Sequence, residues 1–360
     1  MRLAVLTACA AILSVSGGAI AQETNTPSEV AKPSPELEAA ETAITDANRL
    51  YEARKYVQAD AGFAKLSSRY AQATDPEFQR IAVIAIVGRA RIASVTGKNV
   101  EALALIDEAI ALLPTLQTDD TPAWLANAML IRLGTLIALK RFDVADEQAQ
   151  TAFDMFNDEE DPLIEQALAM TIGMRTAMSL ENGNKAKARG QLQVFSSRFG
   201  KSHDREIQKM LLDAYAMVAF QLDADGDLQG AERTYAEAVS LAEKQEDPDG
   251  ELVARSIVAR GKILEKLKRD EDALAALQQA VSWFPSPKEP PIIGQVALSH
   301  NLRAGLFAKQ GKADEAIAEL RGVLALGRNI NVDMILNDPN FRPLLNNARF
   351  VSFVRANIRR

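Results

Sequence analysis

The sequence predicts an all-α solenoid of about seven antiparallel helix hairpins, closed by a C-terminal helical cap. Three observations predict it. Small residues of one kind recur at Ala59, Ala102, Ala145, Ala188, Ala231, Ala273 and Ala316, with gaps of 43, 43, 43, 43, 42 and 43 residues. Five residues before each stands Arg54, Gly97, Lys140, Gly183, Gly226, Lys268 or Gly311, a glycine in four of seven cases, as at helix ends that turn left-handed. Bulky or small apolar residues follow at fixed offsets. One supersecondary unit copied at fixed period stacks on its neighbours rather than folding around one centre.

Taken in order, residues 1–21 read as a secretory signal. Arg2 is a short positive start, Leu3 to Ser16 is apolar and uncharged, and Ala19-Ile20-Ala21 offers the small residues a signal peptidase needs. Cleavage is expected after Ala21, which makes the chain exported and periplasmic. Leu6-Thr7-Ala8-Cys9 is similar to a lipobox, but only eight residues precede that cysteine, leaving almost no apolar core before it. Cys9 is the sole cysteine, so the mature chain would have no disulfide and no thiolate site. Residues 22–35 are polar and proline-bearing and read as a disordered leader. No later segment is an uncharged apolar run of about 18 residues, so no transmembrane segment is expected.

The array is expected over residues 36–328. Four positions after each key alanine stands Phe63, Ile106, Ala149, Leu192, Tyr235, Leu277 or Leu320. Seven after stands Leu66, Ala109, Ala152, Phe195, Ala238, Ala280 or Val323. These offsets share one face of a helix, the second of each hairpin. The alanine lets that helix approach the preceding one closely. The preceding helices, such as Ile81 to Val95, Trp124 to Leu139, Leu163 to Leu180, Leu211 to Leu222 and Ile292 to Ala308, are apolar around most of their circumference, which is the position of an inner helix. Asp75-Pro76, Thr121-Pro122, Asp161-Pro162 and Asp247-Pro248 read as cap-and-proline starts.

Glycine, alanine five later, a bulky residue at +4, a small one at +7 and proline near +12 (Pro114, Pro285) resemble the tetratricopeptide repeat. The pattern is strongest over Gly97 to Pro114, Gly226 to Ala238, Lys268 to Pro285 and Gly311 to Val323, and weakest around Ala59 and Ala188. The period exceeds the usual one and matches a long-helix variety. The tail from Leu336 to Phe350 looks like the segment that ends bacterial arrays of this family, and residues 329–360 are expected to cap the last apolar face. The resemblance implies a right-handed superhelix whose concave groove holds a peptide or a partner protein. Carried onto groove-facing places, it implies contacts from Arg91, Asn127, Met170, Asp213 and Arg255. The lysine-asparagine clamp that some members use for acidic C-termini is not reproduced: Asn48 fits one place, but Ile44 stands where the lysine belongs.

Two further patterns admit a binding and a packing reading. Arg89, Arg132, Arg175, Arg260 and Arg303 stand thirteen before the key alanine in five units, with Asp46 and Val218 in the others. This ladder could grip an acidic partner, or its stems could pack while its heads pair locally. Met170, Met174 and Met178, with Met129, Met210 and Met217 on neighbouring helices, could line an adaptable groove or fill a core. Enzyme chemistry finds little support. His203 lies in a polar loop, and His300 stands where other units pack isoleucine; no metal-ligand cluster, cofactor motif or nucleophile motif is present. The net charge of −7 argues against nucleic acid. The basic end of the chain (Arg342, Arg349, Arg355, Arg359, Arg360) reads as a frayed helix. The function expected is a scaffold in envelope assembly or secretion, performing no chemistry; a small-molecule or glycan sensor is the alternative, ahead of a cryptic hydrolase.

Overall fold

The computed structural model describes residues 34–116, 120–330 and 332–357. The expected signal (1–21), Cys9, most of the leader, and Arg359 and Arg360 lie outside the described residues. All regular structure among the described residues is helical. The chain divides into two compact units at the Asn184–Lys185 junction.

The first unit holds α1 (Pro35–Glu52), α2 (Tyr56–Tyr70), α3 (Pro76–Val95), α4 (Asn99–Leu112), α5 (Thr121–Ala138), α6 (Phe142–Phe156) and α7 (Pro162–Glu181). Each inner helix (α1, α3, α5) packs on the outer helix that follows it and on the next inner helix. Each outer helix also packs on the following inner helix. Helices α3, α5 and α7 must therefore be apolar on several sides, and α7 buries residues on every turn from Ile164 to Leu180.

The second unit holds α8 (Lys185–Phe199), α9 (Arg205–Ala224), α10 (Leu228–Ala242), α11 (Gly250–Lys266), α12 (Asp270–Trp283), α13 (Pro290–Lys309), α14 (Ala313–Ala325), α15 (Val332–Asn337) and α16 (Ala348–Ala356). The same pattern repeats, with inner helix α11 packed against α9 on one side and α13 on the other.

All seven key alanines are 0% exposed, and every +4 and +7 residue is buried. All seven turn residues have positive φ, from 57° at Arg54 to 82° at Gly226. Every turn makes the same pair of bonds: at Gly97, its amide donates to Ser94 O (3.1 Å) and that of Lys98 to Ala93 O (2.8 Å). Arg54, Lys140 and Lys268 take the left-handed conformation against their intrinsic preference, so neighbour packing sets the turn even where the residue resists it. Replacing Lys140 by glycine is expected to raise stability by about 1 kcal/mol, measured by denaturant titration.

The cap expectations hold at two starts and shift at two. Asp75 accepts from the Glu77 amide, and Asp161 from Leu163 and Ile164. Thr121 is already the first residue of α5, and its hydroxyl donates to Leu116 O instead of capping. Asp247 does not cap α11; Asp249, one residue beyond Pro248, accepts from Leu252 at 3.0 Å. Helix α1 starts at Pro35, capped by Ser34, one residue before the expected edge of the array.

The C-terminal segment docks on α13 and α14. A 3-10 turn (Pro339–Leu344) packs along α13, and Phe341, Leu344 and Phe350 bury against Ala304, Ala308 and Leu320. The expected fraying is overturned over residues 348–356: Phe350 and Val354 anchor α16, and Arg349 pairs with Asp314 at 2.5 Å.

Candidate functional site

In each unit the side of the inner helices not covered by outer helices is the face open to a partner, except at Gly305 of α13, over which Asp338, Asn340 and Phe341 of the C-terminal segment lie. Eighteen residues before each key alanine stand Glu41, Ile84, Asn127 and Met170 in the first unit, and Asp213, Arg255 and Leu298 in the second. All seven are partly or fully exposed. The chemistry at this register changes from repeat to repeat, whereas the buried registers hold small or bulky apolar residues throughout.

In the first unit the face begins with a charged strip. Arg80 of α3 reaches Glu41 of α1 at 2.5 Å and Glu77 at 2.8 Å, with its guanidinium 5.9 Å from the ring of Trp124 on α5. Asn127 and Met170 lie on this face, partly exposed. Arg91 does not present its charge there. It is 8% exposed, with its guanidinium 4.6 Å from the centre of the Tyr51 ring. The flat face of the Tyr51 ring on α1 lies opposite Arg91 of α3, and the guanidinium stacks on it between the two helices.

Met174 is likewise corrected. At 6% exposure it belongs to a core cluster with Met129, Met178, Leu133 and Phe156, and Met170 packs on the edge of that cluster. Methionines at helical spacing here fill the interior between α5, α6 and α7. Of the expected groove residues in this unit, the structure leaves Asn127 and Met170 on the face.

The arginine ladder faces the outer helices. Arg89 of α3 pairs with Asp60 of α2 at 3.2 Å, Arg132 of α5 with Asp107 of α4 at 2.5 Å, and Arg175 of α7 with Asp146 of α6 at 2.7 Å. In the second unit Arg260 of α11 pairs with Glu232 of α10 at 2.9 Å. Each arginine in these four steps reaches back to the preceding hairpin and links consecutive hairpins of the same unit. Arg303 differs, pairing with Glu319 of its own hairpin at 2.9 Å and with Gln278 of the preceding one. The ladder is thus internal bracing, with the packing reading upheld. Arg175→Ala is expected to cost about 1–2 kcal/mol, because both partners are largely buried and Gln150 also loses a donor. Denaturant titration measures this; partner affinity should be unchanged.

In the second unit, Asp213 of α9 and Arg255 of α11 meet across the face at 3.6 Å. Burial raises the Asp213 carboxyl above its ordinary range, against the pull of Arg255 and Lys209. Nearly three turns along, Asp223 of α9 is held by Lys266 of α11 at 2.6 and 2.9 Å. Beneath them lies Tyr235 of α10, whose phenol burial pushes up to about 12, with Asp223 adding to the rise. The folded phenol then keeps its proton where an unfolded one, near 10, loses it. Stability from this residue is full below about pH 10 and falls as pH rises toward about 12. Tyr235→Phe is expected to flatten part of the alkaline limb of the stability–pH curve; Tyr51, Tyr70 and Tyr215, also raised by burial, contribute to the rest.

His300 is satisfied, its Nδ1 2.7 Å from Glu319, which also holds Arg303. His203 is exposed in a loop. Among the described residues no group of three or more His, Cys, Asp or Glu could hold a metal ion, and no helix is long and apolar enough to cross a membrane. A crevice of about 270 Å³ lies in the first unit, away from the inner face, between Ser67 and Tyr70 of α2, Gln79 and Arg89 of α3, and Glu108 and Leu112 of α4.

Residues that reading the sequence did not single out for the face include Arg80, Trp124, Phe220 and Lys262. The last two stand at one register, eleven before Ala231 and Ala273, and aligning the repeats on their alanines would have shown them.

Residues 254–287, which span the hairpin of α11 and α12, match the family model for the tetratricopeptide repeat. No curated protein sequence matches the chain. Among solved structures, the apo form of RapI is similar to it with a TM-score of 0.50 at 13% identity, over 80% of this chain and 97% of that one. A tetratricopeptide repeat protein from Parabacteroides merdae gives 0.42 at 13% identity, over 86% and 100% of the two chains. The apo quorum sensor NprR from B. thuringiensis gives 0.46 at 12% identity, over 82% and 90%. At these identities the likeness to RapI is one of fold.

Proposed function

We propose that this chain, a tetratricopeptide-type helical repeat protein, is an exported periplasmic scaffold. It holds a segment of a partner protein, or a peptide, on the inner-helix faces, in cell-envelope assembly or secretion, and does no chemistry itself. The observation that carries this reading is the contrast between registers. The buried packing registers stay small or apolar from repeat to repeat, while the exposed inner register runs through carboxylate, aliphatic, amide, thioether, carboxylate, guanidinium and aliphatic groups at Glu41, Ile84, Asn127, Met170, Asp213, Arg255 and Leu298. A surface that is chemically varied on a rigid, regular frame suits recognition of an extended partner, which meets several repeats in succession.

A small-molecule or glycan sensor would draw on the crevice of the first unit. That crevice is below the usual size of a ligand pocket, and its one aromatic, Tyr70, is already stacked on Phe78 with ring centres 4.7 Å apart. The scaffold reading is therefore preferred.

Two measurements test it. N-terminal sequencing of protein recovered from the periplasm should begin at Gln22; intact chain confined to the cytoplasm would defeat the export reading. Affinity capture from an envelope fraction should recover a stoichiometric protein partner, released by substitutions at Asn127, Met170 or Arg255. Recovery of none, with binding of a small metabolite instead, would favour the sensor.

A further inference from the structure

The crevice of about 270 Å³ in the first unit opens between α2, α3 and α4, away from the inner face. Among the described residues that line it, two carry charge: Arg89 of α3 and Glu108 of α4. They do not pair with each other. Arg89 is held through Nε by Asp60 of α2 at 3.2 Å, and among the described residues its two terminal nitrogens have no hydrogen-bond partner. Glu108 is exposed, and among the described residues its carboxylate has no ion-pair or hydrogen-bond partner. Both charges stand toward one end. Arg89 lies eight residues before the Gly97 turn and Glu108 eleven after it, so at about 1.5 Å per residue their heights differ by roughly 4–5 Å. Beyond them the walls are aliphatic: Val83 lies fourteen residues before the turn and Leu112 fifteen after it. Val83 is buried, whereas Leu112 is 39% exposed, apolar surface left partly in water. Two polar groups of the wall are turned to the backbone there. The Ser67 hydroxyl donates to Ala64 O at 3.1 Å, and the Gln79 amide nitrogen donates to Ala73 O at 2.9 Å.

We infer that this crevice binds a free α-amino acid with an aliphatic side chain. Its carboxylate takes the terminal nitrogens of Arg89, its ammonium takes the Glu108 carboxylate, and its side chain runs along Val83 and Leu112. Both ligand charges are required. With Asp60 counted, the charged end holds one cation and two anions, so a ligand with a carboxylate or phosphate alone meets net negative charge. A ligand with an ammonium alone leaves the open side of Arg89 unanswered. The volume lies below that of pockets for drug-sized ligands and suits a molecule as small as one amino acid. The crevice is apart from the inner face, so the inference goes beyond the scaffold reading and does not rest on it.

L-Leucine is the probe, titrated calorimetrically into the full mature chain, and saturable binding of one molecule per chain is expected. Three analogues each remove one group: 3-methylbutylamine lacks the carboxylate, 4-methylpentanoate lacks the ammonium, and glycine lacks the side chain. Each should bind about tenfold or more weakly, as expected when a charged group of the site is left unpaired or apolar wall is left in water. Glu108→Gln should weaken leucine to the level of 4-methylpentanoate, because the ammonium then has no counter-charge. Ser68→Leu should fill the crevice and abolish binding of all four. Glu147→Gln, on α6 and outside the crevice, should change nothing. Glu108 and Ser68 are both exposed, so unaltered helical signal and melting temperature are expected in their variants. Absence of saturable leucine binding at millimolar concentration overturns the proposal, as does equal binding of leucine and either singly charged analogue. Leucine binding that survives Ser68→Leu or is unchanged by Glu108→Gln also overturns it, because the ligand would then lie elsewhere. Capture of a protein partner on the inner face is a separate result, and neither outcome there decides this one.

Discussion

Phe63→Ala should destabilise the chain by about 3–5 kcal/mol, the usual loss for a buried aromatic that leaves a cavity. Phe63 stands four residues after Ala59, is 1% exposed, and lies on the second helix of the first hairpin. Its ring fills the space over Gly88 of α3, where a Cβ would come within 2.7 Å of it. The glycine and the phenylalanine are therefore a matched pair across consecutive hairpins. Gly88→Ala alone should be destabilising, because the ring has no room to retreat. In the Phe63→Ala background the same change should become neutral or stabilising, since the obstruction has gone and alanine favours helix over glycine by about 1 kcal/mol. Denaturant titration of the four proteins gives the coupling directly. Costs that simply add, or a Phe63→Ala loss under about 1 kcal/mol, would mean that the hairpins do not lock in this way.

Ala102→Leu should cost about 1–3 kcal/mol by the opposite route, overpacking. Ala102 is fully buried where α4 crosses α3, and the same alanine at the other six positions is also at 0% exposure. A leucine there would push α4 away from α3 and spoil contacts with α5 as well, because each outer helix packs on the inner helices on both sides of it. Alanine to leucine at Ala111, an exposed position on the same helix, is the control and should be near neutral. Equal effects at both sites would show that close helix approach is not what the recurring alanine provides.

The frame of this protein was legible because its determinants are local and repeated. A left-handed helix end, an alanine five later and apolar residues at +4 and +7 are each weak signals, but seven copies at one spacing leave little freedom. Lys140 and Lys268 were placed by period and not by residue type, and both adopt positive φ. Errors arose where the outcome depends on a partner distant in sequence. Arg91 looked like a groove cation because its register faces inward; the Tyr51 ring, forty residues earlier, draws it into the interior. Met174 looked like groove lining, and the neighbouring helices α5 and α6 enclose it. The caps at Thr121 and Asp247 moved by a residue or two because several acids and hydroxyls compete at each helix start, and only local backbone geometry decides among them. The two readings of the arginine ladder could be separated once Asp60, Asp107, Asp146 and Glu232 were seen opposite it.

The most direct test removes one repeat. Deleting residues 99–141 takes out one period of 43 and joins the turn at Lys98 to Phe142, which occupies the place of Asn99 in the next unit. A comparison protein loses a stretch of about 30 residues from the same region, out of step with the period. Helical circular dichroism and thermal melting of the two should separate them: the one-period deletion keeps a cooperative helical fold, and the off-period deletion loses it. If both melt alike, or the one-period deletion is the less ordered, the hairpins are not interchangeable units stacked in register, and the account built on them is wrong.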